Sequence, residues 1–145
     1  MGAMNTGRVI GGGLLAGLLI NVVEFLMNMF VLRDDWSEVY AKMGVAEPGG
    51  GALAGYVVLA FVLGLLIAWT YAAIRPRFGA GPGTAVRAAL VIWVAGYLFP
   101  TVGWMLMGGI GTWLVLVTLA YSIVEVVLGG LAAGKVYQEG ASATA

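Results

Sequence analysis

Two glutamates, Glu24 and Glu125, lie near the middle of long apolar segments. A carboxylate in hydrocarbon costs several kcal/mol, roughly 2.5–3.5 on insertion scales, so such a residue marks a functional site by default. The chemistry it offers is proton binding, because a carboxyl desolvated in a bilayer can load and release protons near neutral pH. No Lys or Arg occupies the interior of any apolar segment, so neither acid has an evident ion partner. Both acids sit in polar stripes. Gly13, Gly17, Asn21, Glu24 and Asn28 follow one another at helical spacing and share one face. Asn21 and Asn28 flank Glu24 a turn away on either side, and an amide hydrogen-bonds a carboxyl in either protonation state. Thr118, Ser122, Glu125 and Gly129 repeat the pattern, with Tyr121 a turn before Glu125.

Chain geometry sets how these groups can meet. Counted at 1.5 Å per residue from Arg8 and from Lys135, the depths of the two acids differ by roughly 8–9 Å. Direct contact then needs tilt, and a water, Tyr121 or Asn21 is expected to bridge them. A third segment carries Trp93, Gly96, Tyr97, Pro100 and Trp104 on one side. Pro100 supplies no N–H and frees the carbonyl of Gly96, which predicts a kink and a place for a cavity.

Four apolar runs position these residues: about 9–32, 52–74, 84–107 and 112–136. Each is long enough to cross about 30 Å of hydrocarbon, which takes about 20 helical residues. Only helices and closed barrels satisfy their backbone in lipid, and period-2 alternation is missing here. The fold class is therefore all-α: a single domain over residues 1–145, with four transmembrane helices in an antiparallel bundle. The first run carries Asn21, Glu24 and Asn28 and has no clear small-residue cleavage site, so it reads as a retained helix and not as a cleaved signal.

Composition agrees. Of 145 residues, 61% are hydrophobic and 10% charged, against about 45–50% and about 25% in soluble domains. Seven basic residues balance seven acidic ones, and no basic tract offers itself to nucleic acid. The chain has no Cys and no His. Thiolate chemistry, disulfides, imidazole ligation and the usual neutral-pH acid–base residue are thereby excluded. No cofactor and no metal site is expected.

The connections divide the charge. Arg8, Arg75, Arg77, Arg87 and Lys135 fall on one side, and Arg33 and Lys42 on the other. The positive-inside rule then makes both termini cytoplasmic. In the first connection, Asp35-Trp36-Ser37-Glu38 reads as a capping box. Trp36, Val39, Tyr40 and Met43 share a helix face, and Gly44 is a natural stop. A short amphipathic interfacial helix over about 35–43 is predicted, with Trp36 and Tyr40 at headgroup level. In the second connection, Pro76 is expected to end helix two and Thr84 to cap helix three. Arg75, Arg77 and Arg87 there suit contact with anionic lipid, although topology alone explains arginines at this place. Helix two is the least polar and reads as scaffold or lipid-facing.

The stretches Tyr71-Ala72-Ala73-Ile74-Arg75-Pro76-Arg77-Phe78-Gly79 and Gly81-Pro82-Gly83-Thr84-Ala85 carry a resemblance, as does Gly12-Gly13-Leu14-Leu15-Ala16-Gly17-Leu18 with Asn21 and Glu24-Phe25 after it. Over nearly the whole chain they resemble a group of small, uncharacterised bacterial four-span integral membrane proteins. The resemblance implies a multi-pass protein of the bacterial inner membrane. It implies no activity and no functional residue.

Three functions fit these residues. The first is a non-catalytic accessory or structural subunit of a larger membrane complex. Gly13/Gly17 and Gly130/Gly134 would pack helices closely, and the glutamates would be polar packing residues. The second is a proton-coupled small-molecule transporter, working as a homo-oligomer, with Glu24 and Glu125 binding protons and Asn21, Asn28, Ser122 and Tyr121 around them. The third is a lipid-modifying enzyme using Glu24, Glu125, Tyr97 or Tyr121, for which no paired-acid motif is present. The subunit reading stands first, and its partners would be other membrane subunits or further copies.

Overall fold

The structure, a computed structural model, describes residues 4–137. Four helices are long and apolar enough to cross a membrane: Thr6–Val31, Gly50–Phe78, Pro82–Leu106 and Thr112–Val136. At 1.5 Å per residue they run about 37–44 Å, more than a hydrocarbon core needs. The chain is an all-α, multi-pass membrane protein, and the described residues contain no strand. The first span touches the second and the fourth, the third touches the second and the fourth, and the second and fourth meet across a diagonal. The backbone N–H of Asn5 reaches the Tyr137 phenol at 3.4 Å, so both ends of the described chain meet at one end of the bundle.

The spans are apolar on every side, so inside and outside differ by size more than by polarity. In the first span Gly12, Gly13, Ala16, Gly17 and Ile20 are buried, while Leu14, Leu18 and Phe25 face outward. Lipid solvates a leucine as well as a leucine does, so helices associate where small residues let backbones approach. A methyl placed on Gly13 would stand 2.7 Å from Leu65 Cα, and one on Gly17 2.7 Å from Phe61 Cα. One on Gly64 would run into the backbone of Gly13 and Gly17. The second span is therefore the close partner of the first along this seam. Residues 50–59 of that span are exposed, but Ala60, Ile67, Ala68 and Tyr71 are buried, so the span is part of the core as well. Gly130 and Gly134 serve the fourth span in the same way against Ala85 and Ala89 of the third.

Local signals fared less well than apolar length. The connecting helix runs over Arg33–Met43 and starts two residues early, with Leu32 at its N-cap and no side-chain cap. The Asp35–Glu38 capping box does not form. Leu32 is buried and anchors the turn out of the first span, which puts Asp34 and Asp35 in the first turn, where the helix dipole favours them. Gly44 ends the helix at φ +67°, with Val45 N–H on the Tyr40 carbonyl.

Pro76 does not end the second span, which continues to Phe78. So near a helix end the proline costs one carbonyl its donor and little more. Thr84 is not an N-cap either. The third span begins at Pro82, a favoured first-turn position, and the Thr84 hydroxyl donates back to the carbonyls of Phe78 (3.3 Å) and Gly79 (2.8 Å).

The kink at Pro100 takes a particular form. Residues Val94–Leu98 widen into a π turn, and Phe99 N–H bonds the Val94 carbonyl five residues back. One extra residue in the turn relieves the clash of the proline ring with the carbonyl behind it. A second π turn, Met27–Val31, closes the first span, with Leu32 N–H on the Met27 carbonyl at 2.8 Å.

Candidate functional site

The two π turns sit beside the two acids. Tyr97 projects from the π turn of the third span. Its hydroxyl lies 3.0 Å from Glu24 Oε1 and 2.7 Å from Glu125 Oε1. The carboxyls thus meet through a phenol. The expected bridges were a water, Tyr121 or Asn21, and the bridge is Tyr97. Depth counting along two helices left out the third, whose widened turn carries this side chain between them.

Glu24 is half-buried and well supplied with donors. Its Oε2 accepts from Asn28 Nδ2 at 2.6 Å and from Tyr121 Oη at 3.1 Å. Trp36 fixes the Asn28 amide, because an indole N–H can only donate and it lies 2.8 Å from Asn28 Oδ1. The amide nitrogen must then face Glu24, where it also reaches the Glu24 carbonyl at 2.9 Å. Trp36 is accordingly an inward anchor: it stacks on Tyr40 and tilts against Trp104 as well. Glu125 is fully buried. One of its oxygens meets Tyr97, and the other, Oε2, has no hydrogen-bond partner.

Proton counting follows from these contacts. The Tyr97 hydroxyl carries one proton and faces two carboxyl oxygens, so it can donate to one and must accept from the other. Glu24 Oε2 already receives two donors, whereas Glu125 has an oxygen that receives none. A proton on Glu125 leaves its unpartnered oxygen as a carbonyl and not as a bare carboxylate oxygen, which costs less to bury. Glu125 donates to Tyr97, and Tyr97 donates to Glu24. Among the described residues the one salt bridge is Glu38–Lys42 on the connecting helix, so no cation neutralises this cluster through an ion pair.

The remaining predicted site residues lie elsewhere. The Asn21 amide turns away from Glu24 to the carbonyls of Gly17 (2.9 Å) and Val57 (3.3 Å), where it ties the first span to the second. Ser122 is buried and accepts from Trp93 Nε1 at 2.9 Å, outside the carboxyl cluster. Arg75 stands over the Tyr137 ring at 5.4 Å and Arg87 over Phe78 at 5.1 Å, while Arg77 is exposed. No cluster of three metal-ligating side chains occurs among the described residues.

Sequence reasoning placed Tyr97 on the wall of a cavity and among the candidate groups of an enzyme, and not between the two acids. A signal was available: Tyr97 is the sole ionisable side chain deep in the third run, one turn before its proline. Fold and site together define a four-span α-helical membrane protein with an internal carboxyl–phenol network. No family model matches the chain, and neither a curated protein nor a solved structure is similar to it.

Proposed function

We propose that this is a proton-handling protein of the bacterial inner membrane, a small-molecule transporter in which Glu24, Tyr97 and Glu125 form a proton relay. The observation that carries this reading is the single Tyr97 hydroxyl bonded to both carboxyls. It supports a relay in which Glu125 gives its proton to the Tyr97 oxygen while Tyr97 gives its own to Glu24 Oε1. Two O–H bonds break and two form. Tyr97 ends neutral, and the net result is a proton moved from the buried acid to the half-buried one. Both termini are cytoplasmic on the positive-inside pattern, and a chain this small works as a homo-oligomer to enclose a path.

Infrared titration of the chain in lipid tests this without a known substrate. A protonated-carboxyl C=O stretch should persist near neutral pH, vanish in Glu125→Gln, and shift in Tyr97→Phe. Proteoliposomes should pass protons down an imposed gradient, and Glu24→Gln with Glu125→Gln should stop that flux. A carboxyl band indifferent to all three substitutions, or unchanged flux in the double variant, would sink the reading.

A second reading, an accessory subunit of a larger complex, draws on one observation. Gly51 and Gly55 form a small-residue face on the exposed start of the second span, and an added methyl there would touch nothing. Such a face admits another helix. By contrast, Gly13/Gly17 and Gly130/Gly134 are used within the chain, so they call for no partner. Native mass spectrometry from the host membrane separates the readings: a monomer or homo-oligomer supports the transporter, and a stoichiometric partner supports the subunit.

A further inference from the structure

Beside the carboxyl–phenol network, where the connecting helix crosses the bundle, lies a half-open cleft of about 420 Å³. That falls within the range of small-molecule sites, about 300–1,000 Å³. We propose that this cleft binds a small organic ammonium ion with an aromatic or apolar body, and that Trp36 is the positioning residue that links its occupancy to Glu24. The linkage, though not the binding, rests on the proton-handling reading above.

The walls favour a cation. Trp36 and Trp104 line the cleft with ring centroids 6.1 Å apart and planes 31° from parallel. Indole faces attract positive charge. Trp104 is held in place by the turn after the third span, where a methyl on Gly109 would run into its indole. No lining residue is charged, so an anion has nothing to pair with here.

The lining also has an unmet polar group. Thr118 is 9% exposed, lines the cleft, and its hydroxyl has no hydrogen-bond partner. Buried hydroxyls are nearly always paired, so an orphan on a residue that lines a cavity points to a missing ligand beside it. Across the cleft, Pro100 supplies no N–H to the turn behind it, where Gly96 also lines the space. An ammonium group donates to both a hydroxyl and a carbonyl.

Two hydrogen bonds join the cleft to the acids. Trp36 Nε1 donates to Asn28 Oδ1 at 2.8 Å, and Asn28 Nδ2 donates to Glu24 Oε2 at 2.6 Å. A ligand pressed on Trp36 therefore alters the donor set of Glu24. The ionisable groups facing this path are Glu24 on the first span, Tyr97 on the third, and Tyr121 and Glu125 on the fourth. Tyr40 stacks on Trp36 from the connecting helix, with Tyr56 of the second span beside it.

Calorimetry on the full chain in lipid nanodiscs tests the proposal, with empty discs as reference. The probes are 2-phenylethylammonium and its neutral counterpart 2-phenylethanol. The ammonium ion should bind saturably and about tenfold tighter than the alcohol. Thr118→Val, nearly isosteric, should weaken it about fivefold, and Thr118→Ser should restore it. Repeating the titration in buffers of different ionisation enthalpy counts the protons taken up or released on binding. Trp36→Phe should keep the affinity within about threefold, since the ring wall remains, yet abolish the proton exchange that accompanies binding in the parent chain. Equal binding of the alcohol would make the cleft an apolar slot for a lipid tail and overturn the proposal. Binding indifferent to Thr118→Val and Trp104→Leu would place the cation elsewhere and overturn it equally. A chain that keeps the Glu125 infrared band but binds no ammonium sinks this inference alone; one that binds the ammonium but lacks the band sinks the relay and leaves the site.

Discussion

The end of the bundle that holds both termini and the end that holds the connecting helix are built on opposite principles. Toward the termini, glycine and alanine bring backbones together: Gly13 and Gly17 against Gly64, and Gly130 and Gly134 against Ala85 and Ala89. Toward the connecting helix the spans are spread by two π turns, and polar side chains, aromatic rings and a cleft fill the space between them. Packing in lipid gains from close backbone approach, while proton chemistry needs room for side chains to bridge. Separating the two along the helix axis lets one stretch hold the bundle while the other carries widened turns and the two acids.

The sharpest way to break this contrast is to add volume on each side. Gly64→Ala would press a methyl into the backbone of Gly13 and Gly17. Neither backbone can yield, so the loss should reach about 3 kcal/mol, the upper end for overpacking. Gly96→Ala, at the other end, meets only the tip of Leu63 at 3.3 Å and should cost less than about 1 kcal/mol. Unfolding of the two variants by denaturing detergent in mixed micelles makes the comparison, and equal losses would erase it.

Tyr97→Phe tests the polar end next. It removes the group both carboxyls share, so stability should fall by about 1–3 kcal/mol, the range for leaving buried polar groups unpaired. Proton flux should fall with it, whereas Gly96→Ala should keep both. Ser122→Ala is milder. It strips Trp93 of its acceptor and should cost about 1 kcal/mol in the same unfolding assay, without touching flux.

The smallest effect lies outside both regions. Lys42 holds the Glu38 carboxyl below its ordinary range through a hydrogen bond and its charge. A lowered carboxyl contributes stability above its unfolded value and loses it as pH falls through the folded one. Because Glu38 is fully exposed, Lys42→Ala should leave the melting temperature unchanged at neutral pH and on acidification alike. A resolvable shift would mean that the connecting helix is held by this pair and not by Leu32 and Trp36.

How much of this was legible varies by scale. The four spans could be read from apolar length because hydrocarbon thickness fixes the number of helical residues whatever their neighbours. The stop at Gly44 was equally local. Capping at Asp35 and at Thr84 failed for a common reason. Each weighed one side chain against its own turn, whereas Leu32 packing into the bundle and the hydroxyl of Thr84 turning back to Gly79 decided the outcome. Asn21 and Asn28 look equivalent around Glu24 in the sequence, yet only Asn28 serves it. The second span lies within reach of Asn21 and offers the Val57 carbonyl, and Trp36 locks Asn28 toward the acid.

The sequence by itself determined that this chain lives in lipid, crosses it four times, and carries two acids there without a cation. Those properties follow from transfer energies that act residue by residue. Only the tertiary structure decided that the acids meet, that Tyr97 joins them, and that Asn28, Tyr121 and Trp36 complete the set. Such contacts depend on how closely glycines let four helices approach and on where a π turn shifts the register of a third one. Both are properties of packing between spans that no single span encodes.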